Sequence, residues 1–385
     1  MLSDSRHRET CQIELATGTL RIVVREAAFA LDELCAFGAR NNRKRGFLFL
    51  SKVLGKHWPS RPFRMRQIHD HLASRLILSS DRWVVIAMAE TATGLGQGVF
   101  ESALRQHPGT QGLFLHSTRY RIPGRRYLEF QEPHCHAPDQ LLYEPVVPDH
   151  LDLFHTATEL IVVDDEISTG TTLCNLVAAY RAHNPRLERV HMVSITNFSG
   201  LTGSAQFSAQ TGLPVNCVTA LHADFSFQPS HAGEHATIPA AVGANQREPG
   251  QIAEHLGRFG ISQALEIPAA DLISLADGLL TGASVLVLGT GELMHTAFRV
   301  GLALEDRGFD VVVQSTTRSP ILTGAGIGQR LIFADNYGEG IRNYLYNVDP
   351  DDFARIIVCH ETPRDSLDDL LRHLGTNALT YHYPI

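Results

Sequence analysis

What this 385-residue chain lacks already narrows its function. Charged residues make up only 19%, and 41 Asp and Glu outnumber 33 Lys and Arg, giving a formal charge of -8. There is no basic surplus to neutralise a phosphodiester backbone, so no nucleic-acid partner is expected. No apolar run approaches the roughly 20 residues of a membrane helix, and the opening MLSDSRHRETCQIELATG has no signal-peptide core. Neither a membrane protein nor a secreted one is expected. No CxxC pair occurs among Cys11, Cys35, Cys135, Cys174, Cys217 and Cys359. Their scatter does not resemble a disulfide framework and predicts reduced thiols in the cytoplasm. Histidine is abundant at 20 residues. His134, Cys135 and His136 lie close together, but three ligands without a matching second cluster fall short of a zinc site.

What is present predicts an α/β protein. Hydrophobic residues reach 44%, enough for sizeable cores, and the length suggests about two or three domains. Apolar runs at Phe47 to Leu50, Trp83 to Met88, Leu113 to Leu115, Leu160 to Val163 and Val190 to Ile195 read as buried strands. Helical spacing at Gly98 to Arg105 and Thr171 to Arg181 falls between them. The alternation predicts a mostly parallel sheet flanked by helices. Residues 228–251, QPSHAGEHATIPAAVGANQREPGQ, read as a linker. A second, smaller α/β pattern follows: strands at Val285 to Leu288, Val311 to Gln314, Arg330 to Phe333 and Arg355 to Val358, with a helix over Glu292 to Arg307.

The stretch Glu159 to Thr172, ELIVVDDEISTGTT, carries the most chemistry. A buried strand delivers Asp164 and Asp165 to the carboxyl edge of a sheet, where α/β folds bind ligands. Gly170 permits a tight turn. Ser168, Thr169, Thr171 and Thr172 add hydroxyls, and the following helix N-terminus favours an anion. Carboxylates for hydroxyls or Mg²⁺ thus stand beside a phosphate cradle. The competing reading is a capped strand-to-helix turn without a ligand, but such a turn has no need of paired acids.

This stretch resembles the phosphoribosyl-pyrophosphate (PRPP) signature of type I phosphoribosyltransferases. The resemblance implies that Asp164 and Asp165 hold the ribose hydroxyls, with Mg²⁺ bridged to them through the ligand, and that Ser168, Thr169, Gly170, Thr171 and Thr172 hold the 5′-phosphate. Glu166 stands where the family usually has an apolar residue, and Thr171 where a second glycine is common. A pyrophosphate loop is expected after an earlier strand, and Glu90, Thr91, Ala92, Thr93 and Gly94 follow Trp83 to Ala89. Lys52, four residues before Lys56 and able to share a helix face with it, and Arg119 of HSTRY are expected near the leaving group; two solvated lysines are the alternative. Glu129 to His136, EFQEPHCH, reads as a hood loop that excludes water. Glu129, His134 and His136 are its acceptor contacts, and Glu166, Glu129 and His136 the candidate bases.

Taken together, RGFLFLSKVLGKH, AETATGLG, HSTRY and VVDDEISTGTT resemble the orotate-phosphoribosyltransferase-like branch associated with bacterial tellurium-resistance gene clusters. Members carry a C-terminal TRSP domain, and Thr317-Arg318-Ser319-Pro320 spells that signature. The implied division is 1–245 for the transferase and 246–385 for the TRSP domain. In the second half, Gly289, Thr290, Gly291 and Glu292 follow a strand and open a helix, with GxG but not the full dinucleotide fingerprint. A phosphate or carboxylate at that helix start is expected, with Thr317, Arg318 and Ser319 at the end of a parallel strand and Arg318 as a bidentate anion ligand. Alternatively, Arg318 pairs with a core carboxylate and the domain is an interaction module.

The resemblance implies a Mg²⁺-dependent phosphoribosyltransferase in which a nitrogenous base displaces pyrophosphate from PRPP, serving biosynthesis of a nucleoside-like metabolite. It also implies a homodimer and partners from the same gene cluster. A PRPP- or nucleotide-sensing module without turnover and a stress-response scaffold are the alternatives.

Overall fold

The apolar runs do form strands, since each can bury both faces only inside a helix-covered sheet. The computed structural model describes residues 9–40, 45–132, 139–200, 202–230 and 257–382. The first sheet contains β1 (Thr10–Leu15), β2 (Gly18–Ala27), β5 (Arg82–Ala87), β6 (Gln111–His116), β9 (Glu159–Val163), β11 (Arg189–Asn197) and β12 (Val215–Pro229). Their order is β1-β2-β12-β11-β9-β5-β6, with the short β10 (Glu166–Ile167) beside β11. From β12 to β6 the strands are parallel, while β1 and β2 form an antiparallel edge. Two antiparallel ribbons, β3 (Cys35–Ala39) with β4 (Phe47–Ser51) and β7 (Tyr127–Gln131) with β8 (Asp139–Tyr143), stand off the sheet.

Helices cover both faces. Leu72 of α2 (Pro62–Ser74) and Phe100 of α3 (Thr93–Gln106) share a core with Trp83, Val85, Ile161 and Val163. On the other face Phe154 of α4 (Pro148–Thr156), Leu176 and Tyr180 of α5 (Thr171–His183) and Phe207 of α6 (Gly203–Thr211) pack on Val84, Leu160 and Val162. The short α1 (Leu31–Leu34) precedes β3. Each buried aliphatic or aromatic side chain contributes about 1.5–3 kcal/mol, so cores on both faces hold the central strands in register.

The second sheet, order β14-β13-β17-β18, is fully parallel: β13 (Ser284–Gly289), β14 (Asp310–Ser315), β17 (Arg355–His360) and β18 (Ala378–His382). α7 (Ala269–Leu275) and α8 (Met294–Glu305) cover one face. α9 (Asp368–Leu374) and the hairpin of β15 (Arg330–Ala334) and β16 (Arg342–Tyr346) cover the other. The expected strand at Arg330 therefore does not join the sheet. Its residues pair antiparallel with β16 because their apolar side chains cap the sheet instead of extending it.

The two halves interlock. Met294 of α8 lies in the first core and Met65 of α2 in the second. Ser60 and Val313 exchange backbone hydrogen bonds of 2.8 and 2.9 Å, so the first domain covers the edge of the second sheet. Residues 257–261 in turn run along β6, where Ile261 pairs with Phe114. The expected division at residue 245 and most of the linker lie outside the described residues. Among the described residues, no helix is long and apolar enough to cross a membrane.

Candidate active site

β5 and β9 are parallel neighbours, with Val85 opposite Ile161. The loops that leave them therefore emerge at one carboxyl edge. After β9, the Asp164 side chain accepts the Asp165 N–H at 2.9 Å. Burial, and then the neighbouring charge of Asp165, push the Asp164 pKa well above the ordinary value; burial raises that of Asp165 as well. Such an acid pair is electrostatically unsatisfied, and hydroxyl donors or a hard cation sharing ligand oxygens would relieve it. Mg²⁺ fits this donor set.

The turn into α5 needs Gly170. Its φ is 68°, and a Cβ there would come within 2.3 Å of the fully buried Phe207 ring. Thr169 and Thr171 are exposed beyond it, with hydroxyls 3.1 Å apart, and Ser168 and Thr172 are half-buried. The expected 5′-phosphate residues thus surround the N-terminus of a 13-residue helix whose N-cap residue makes no side-chain capping bond. Gly170→Ala is expected to cost about 1–3 kcal/mol of backbone strain, besides the clash. Thermal unfolding should show a lower Tm, and calorimetry a weaker affinity for ribose 5-phosphate. An unchanged Tm and affinity would show that the turn does not need glycine.

Glu166 is not free at the cradle. Arg45 donates to its carboxylate at 2.6 Å, tying β10 to the start of β4. Burial raises the Glu166 pKa, and Arg45 opposes that rise. Its departure from the family's apolar residue therefore has a local cause, an ion pair to the N-terminal ribbon.

The loop after β5 is fixed from both sides. The Ala89 N–H donates to Ser117 Oγ at 2.9 Å, and Gln140 Nε2 donates to the Ala89 carbonyl at 3.1 Å. Glu90 follows, and Lys56 Nζ donates to its carboxylate. Lys56 also reaches the carbonyls of Gly291 at 3.1 Å and Thr316 at 2.9 Å, both in the second domain. Arg318 Nε stands 3.5 Å from the other Glu90 oxygen. Burial works against ionisation of Glu90, yet Lys56, Arg318 and Arg119 hold its pKa below the ordinary value.

Several expected pyrophosphate residues sit elsewhere. The segment after β4 bends with Gly55 at φ 72° and forms no helix, so Lys52 and Lys56 share no helix face. Lys52 turns away, donating to the Asp32 carbonyl at 2.9 Å and lying over Trp58. Lys56 is the residue that reaches the loop. Ala92 is buried in the first domain's core, and Thr93 and Gly94 are buried under the second domain: Thr93 donates to the Glu292 carbonyl at 3.1 Å, and a Cβ on Gly94 would meet Met294 at 2.8 Å. Gly96 and Gly98 make comparably close approaches to Ala87 and His69. The glycine spacing expected of a phosphate loop thus serves helix packing, and Glu90 and Thr91 are the loop residues left partly exposed.

The expected hood is the β7–β8 ribbon. It leans on α5, where Asn175 donates to the Gln131 carbonyl at 2.9 Å. Strand alternation turns Glu129 outward, 3.8 Å from Arg121. Glu132 takes the inward place, accepting from Arg119 at 2.9 Å and Gln140 at 2.8 Å. The polar EFQEP run held that signal, but the strand's phase decides which acid faces in. His134 and His136 lie outside the described residues.

The second-domain residues do not form a separate open anion site. The Gly289-Thr290-Gly291 turn is buried, and Lys56 and α3 seal it. Glu292 accepts from Arg258 at 2.7 Å and Thr118 at 2.8 Å. Thr317 pairs with Tyr344, and the Ser319 carbonyl accepts Tyr346 Oη at 2.8 Å. Arg318 donates to Glu339 at 2.8 Å and Tyr120 Oη at 2.9 Å. Beyond β17 and β18 a cavity of about 470 Å³ is lined by His360, Glu361, Thr362, Arg364 and His382, among others.

Comparison with known proteins agrees with this domain order. Residues 34–224 match the model for "Phosphoribosyl transferase", and residues 255–374 match "TRSP domain C terminus to PRTase_2". No curated protein matches the chain. Similar solved structures include an adenine phosphoribosyl transferase from Trypanosoma brucei, at 13% identity over 49% of this chain and 76% of that one, with a TM-score of 0.35. The adenine phosphoribosyltransferase from Rhodothermus marinus is 17% identical over 49% and 95%, with a TM-score of 0.33. The orotate phosphoribosyltransferase from Aeropyrum pernix is 16% identical over 46% and 79%, with a TM-score of 0.28. The chain thus carries a match to a phosphoribosyl transferase model, followed by a match to the TRSP model.

Proposed function

We propose that this protein is a Mg²⁺-dependent phosphoribosyltransferase that uses PRPP and a nitrogenous base. One observation carries this reading: an unsatisfied acid pair and an open helix start follow one strand, and the Glu90 loop follows its parallel neighbour. Asp164 and Asp165 hold the ribose hydroxyls. Residues Ser168 to Thr172 hold the 5′-phosphate on the α5 N-terminus. Glu90 and Thr91, with Arg119 beside them, border the pyrophosphate. With these ends fixed, the C1–O bond to pyrophosphate breaks as the base nitrogen approaches C1. The ring passes through an oxocarbenium-like state, and catalysis is positioning and electrostatics. Mg²⁺, held by ligand oxygens together with Asp164 and Asp165, would supply charge neutralisation for the leaving group. The β7–β8 ribbon excludes water.

We further place the activity in the cytoplasm, as a homodimer, in synthesis of a nucleoside-like metabolite linked to tellurium resistance and stress response. The free thiols of Cys11, Cys35, Cys174, Cys217 and Cys359 support the compartment. The test is incubation with PRPP, Mg²⁺ and a library of bases, reading pyrophosphate release. Release with one base class is expected. Tight PRPP binding without release across the library would instead identify a sensor.

A further inference from the structure

We infer that the TRSP domain completes the transferase site, with Arg318 as a pyrophosphate ligand supplied across the domain boundary. The inference rests on the PRPP reading above and assigns the TRSP signature a role in that same site.

The carboxyl edges of the two sheets face each other. Lys56 shows this, bonding Glu90 beyond β5 and the carbonyls beyond β13 and β14 at once. Loops from both sheets therefore border one region, at the edges where α/β sheets take ligands. Two cations contact Glu90 there, Lys56 and Arg318, and the charge of Arg119 also bears on it. They differ in access. Lys56 is 1% exposed and sealed, whereas the Arg318 and Arg119 side chains retain 19% and 25% exposure, beside Glu90 at 16%. An arginine that served the fold alone would be as buried as Arg258, at 1%. Arg318 instead reaches the rim of the Glu90 loop.

Its guanidinium is also held in advance. Tyr120 Oη accepts from Nη2 at 2.9 Å, and the guanidinium carbon lies 5.2 Å from the Tyr120 ring centroid. Tyr120 stacks on Tyr337 at 4.6 Å, so its ring is fixed from behind. A planar fork oriented by a buried aromatic pair is suited to phosphate oxygens, since little freedom is lost when it binds. The carboxylates of Glu90 and Glu339 neutralise Arg318 now. Pyrophosphate, with several negative charges, would compete with them for the guanidinium. Tyr120 is then a positioning residue and Arg318 the ligand.

Isothermal titration with inorganic pyrophosphate, ribose 5-phosphate and PRPP in Mg²⁺ buffer tests this on the full chain. Arg318→Gln should weaken pyrophosphate by roughly tenfold to a hundredfold, as loss of charge-assisted hydrogen bonds does. Ribose 5-phosphate should stay within about twofold, because its site is at α5. Arg318→Lys should recover part of the loss. Tyr120→Phe keeps the ring but loses the acceptor, and should weaken pyrophosphate alone by a few-fold; it carries the test if Arg318→Gln does not fold. Unchanged pyrophosphate affinity in the folded variants, or equal losses for both ligands, overturns the inference while PRPP binding through Asp164 and Asp165 stands. Wild-type protein that binds none of the three ligands overturns the PRPP reading and this inference together.

Discussion

Replacing both acids of the motif, Asp164→Asn with Asp165→Asn, should abolish measurable PRPP binding while leaving the chain folded. Each carboxylate that receives a ribose hydroxyl makes a charge-assisted hydrogen bond of about 1.5–3 kcal/mol. Losing two costs roughly 3–6 kcal/mol, or about a hundredfold to ten-thousandfold in affinity. The effect on stability should have the opposite sign. Asp164 and Asp165 have raised pKa values, with burial the leading cause. An acid whose folded pKa is raised binds its proton more tightly when folded, so its ionisation destabilises the fold as pH climbs from the unfolded pKa toward the folded one. At neutral pH, neutral asparagines remove that penalty. The double variant should therefore melt at the same temperature as wild type or higher, and its Tm should fall less between pH 4 and 7. Titration calorimetry and thermal unfolding across that range measure both effects. Wild-type PRPP affinity in a folded double variant would remove the central assignment.

The second large effect lies at the domain junction. Arg258 is 1% exposed and pairs bidentately with Glu361 at 2.7 Å while also meeting Glu292 at 2.7 Å. Tyr337 Oη donates to Glu361 at 2.8 Å, and Thr118 donates to Glu292 at 2.8 Å. Arg258→Met leaves two carboxylates buried without their cation. Breaking a buried pair this way costs about 3–5 kcal/mol, and the second acid adds to it. For domains of this size each kcal/mol shifts Tm by about 2–4 °C, so a fall on the order of 10 °C is expected by differential scanning calorimetry. The triple variant Arg258→Met, Glu292→Gln, Glu361→Gln should regain most of the loss, because uncharged groups of similar shape need no counterion. If the single variant melts like wild type, the triad does not stabilise the fold.

The two effects mark a division of labour. The acid pair tolerates electrostatic strain because a ligand relieves it, whereas the junction triad is fully paired and serves the fold. The Lys56–Glu90–Arg318 cluster lies between them in both position and access. Lys56 fastens the loop to the second domain, and Arg318 remains partly open at its rim.

Much of this was legible in the residues alone. The runs ELIVV and RWVVIA could only be buried strands, and each became one with every central residue covered. The acid pair, Gly170 and the hydroxyl cluster are contiguous, so one stretch of chain determines the strand end, the turn and the helix start together. The edge hairpin β1–β2 and β18 went unread because their patterns are half-polar, as edge strands are. Lys52 and Lys56 look alike in sequence; only the bend at Gly55 decides which is buried. Glu129 and Glu132 differ only by the phase of one strand.

By itself the sequence determined the α/β class, the order of the two halves and the acid-pair turn, because local periodicity and turn chemistry act over a few residues. Long-range packing set the rest: Gly94 of α3 lets Met294 of α8 approach, Arg258 joins Glu292 to Glu361, and Arg318 faces Glu90 in the first domain. Those outcomes depend on which sheet edges meet, and partners 260 residues apart, such as Lys56 and Thr316, meet only when both cores have formed.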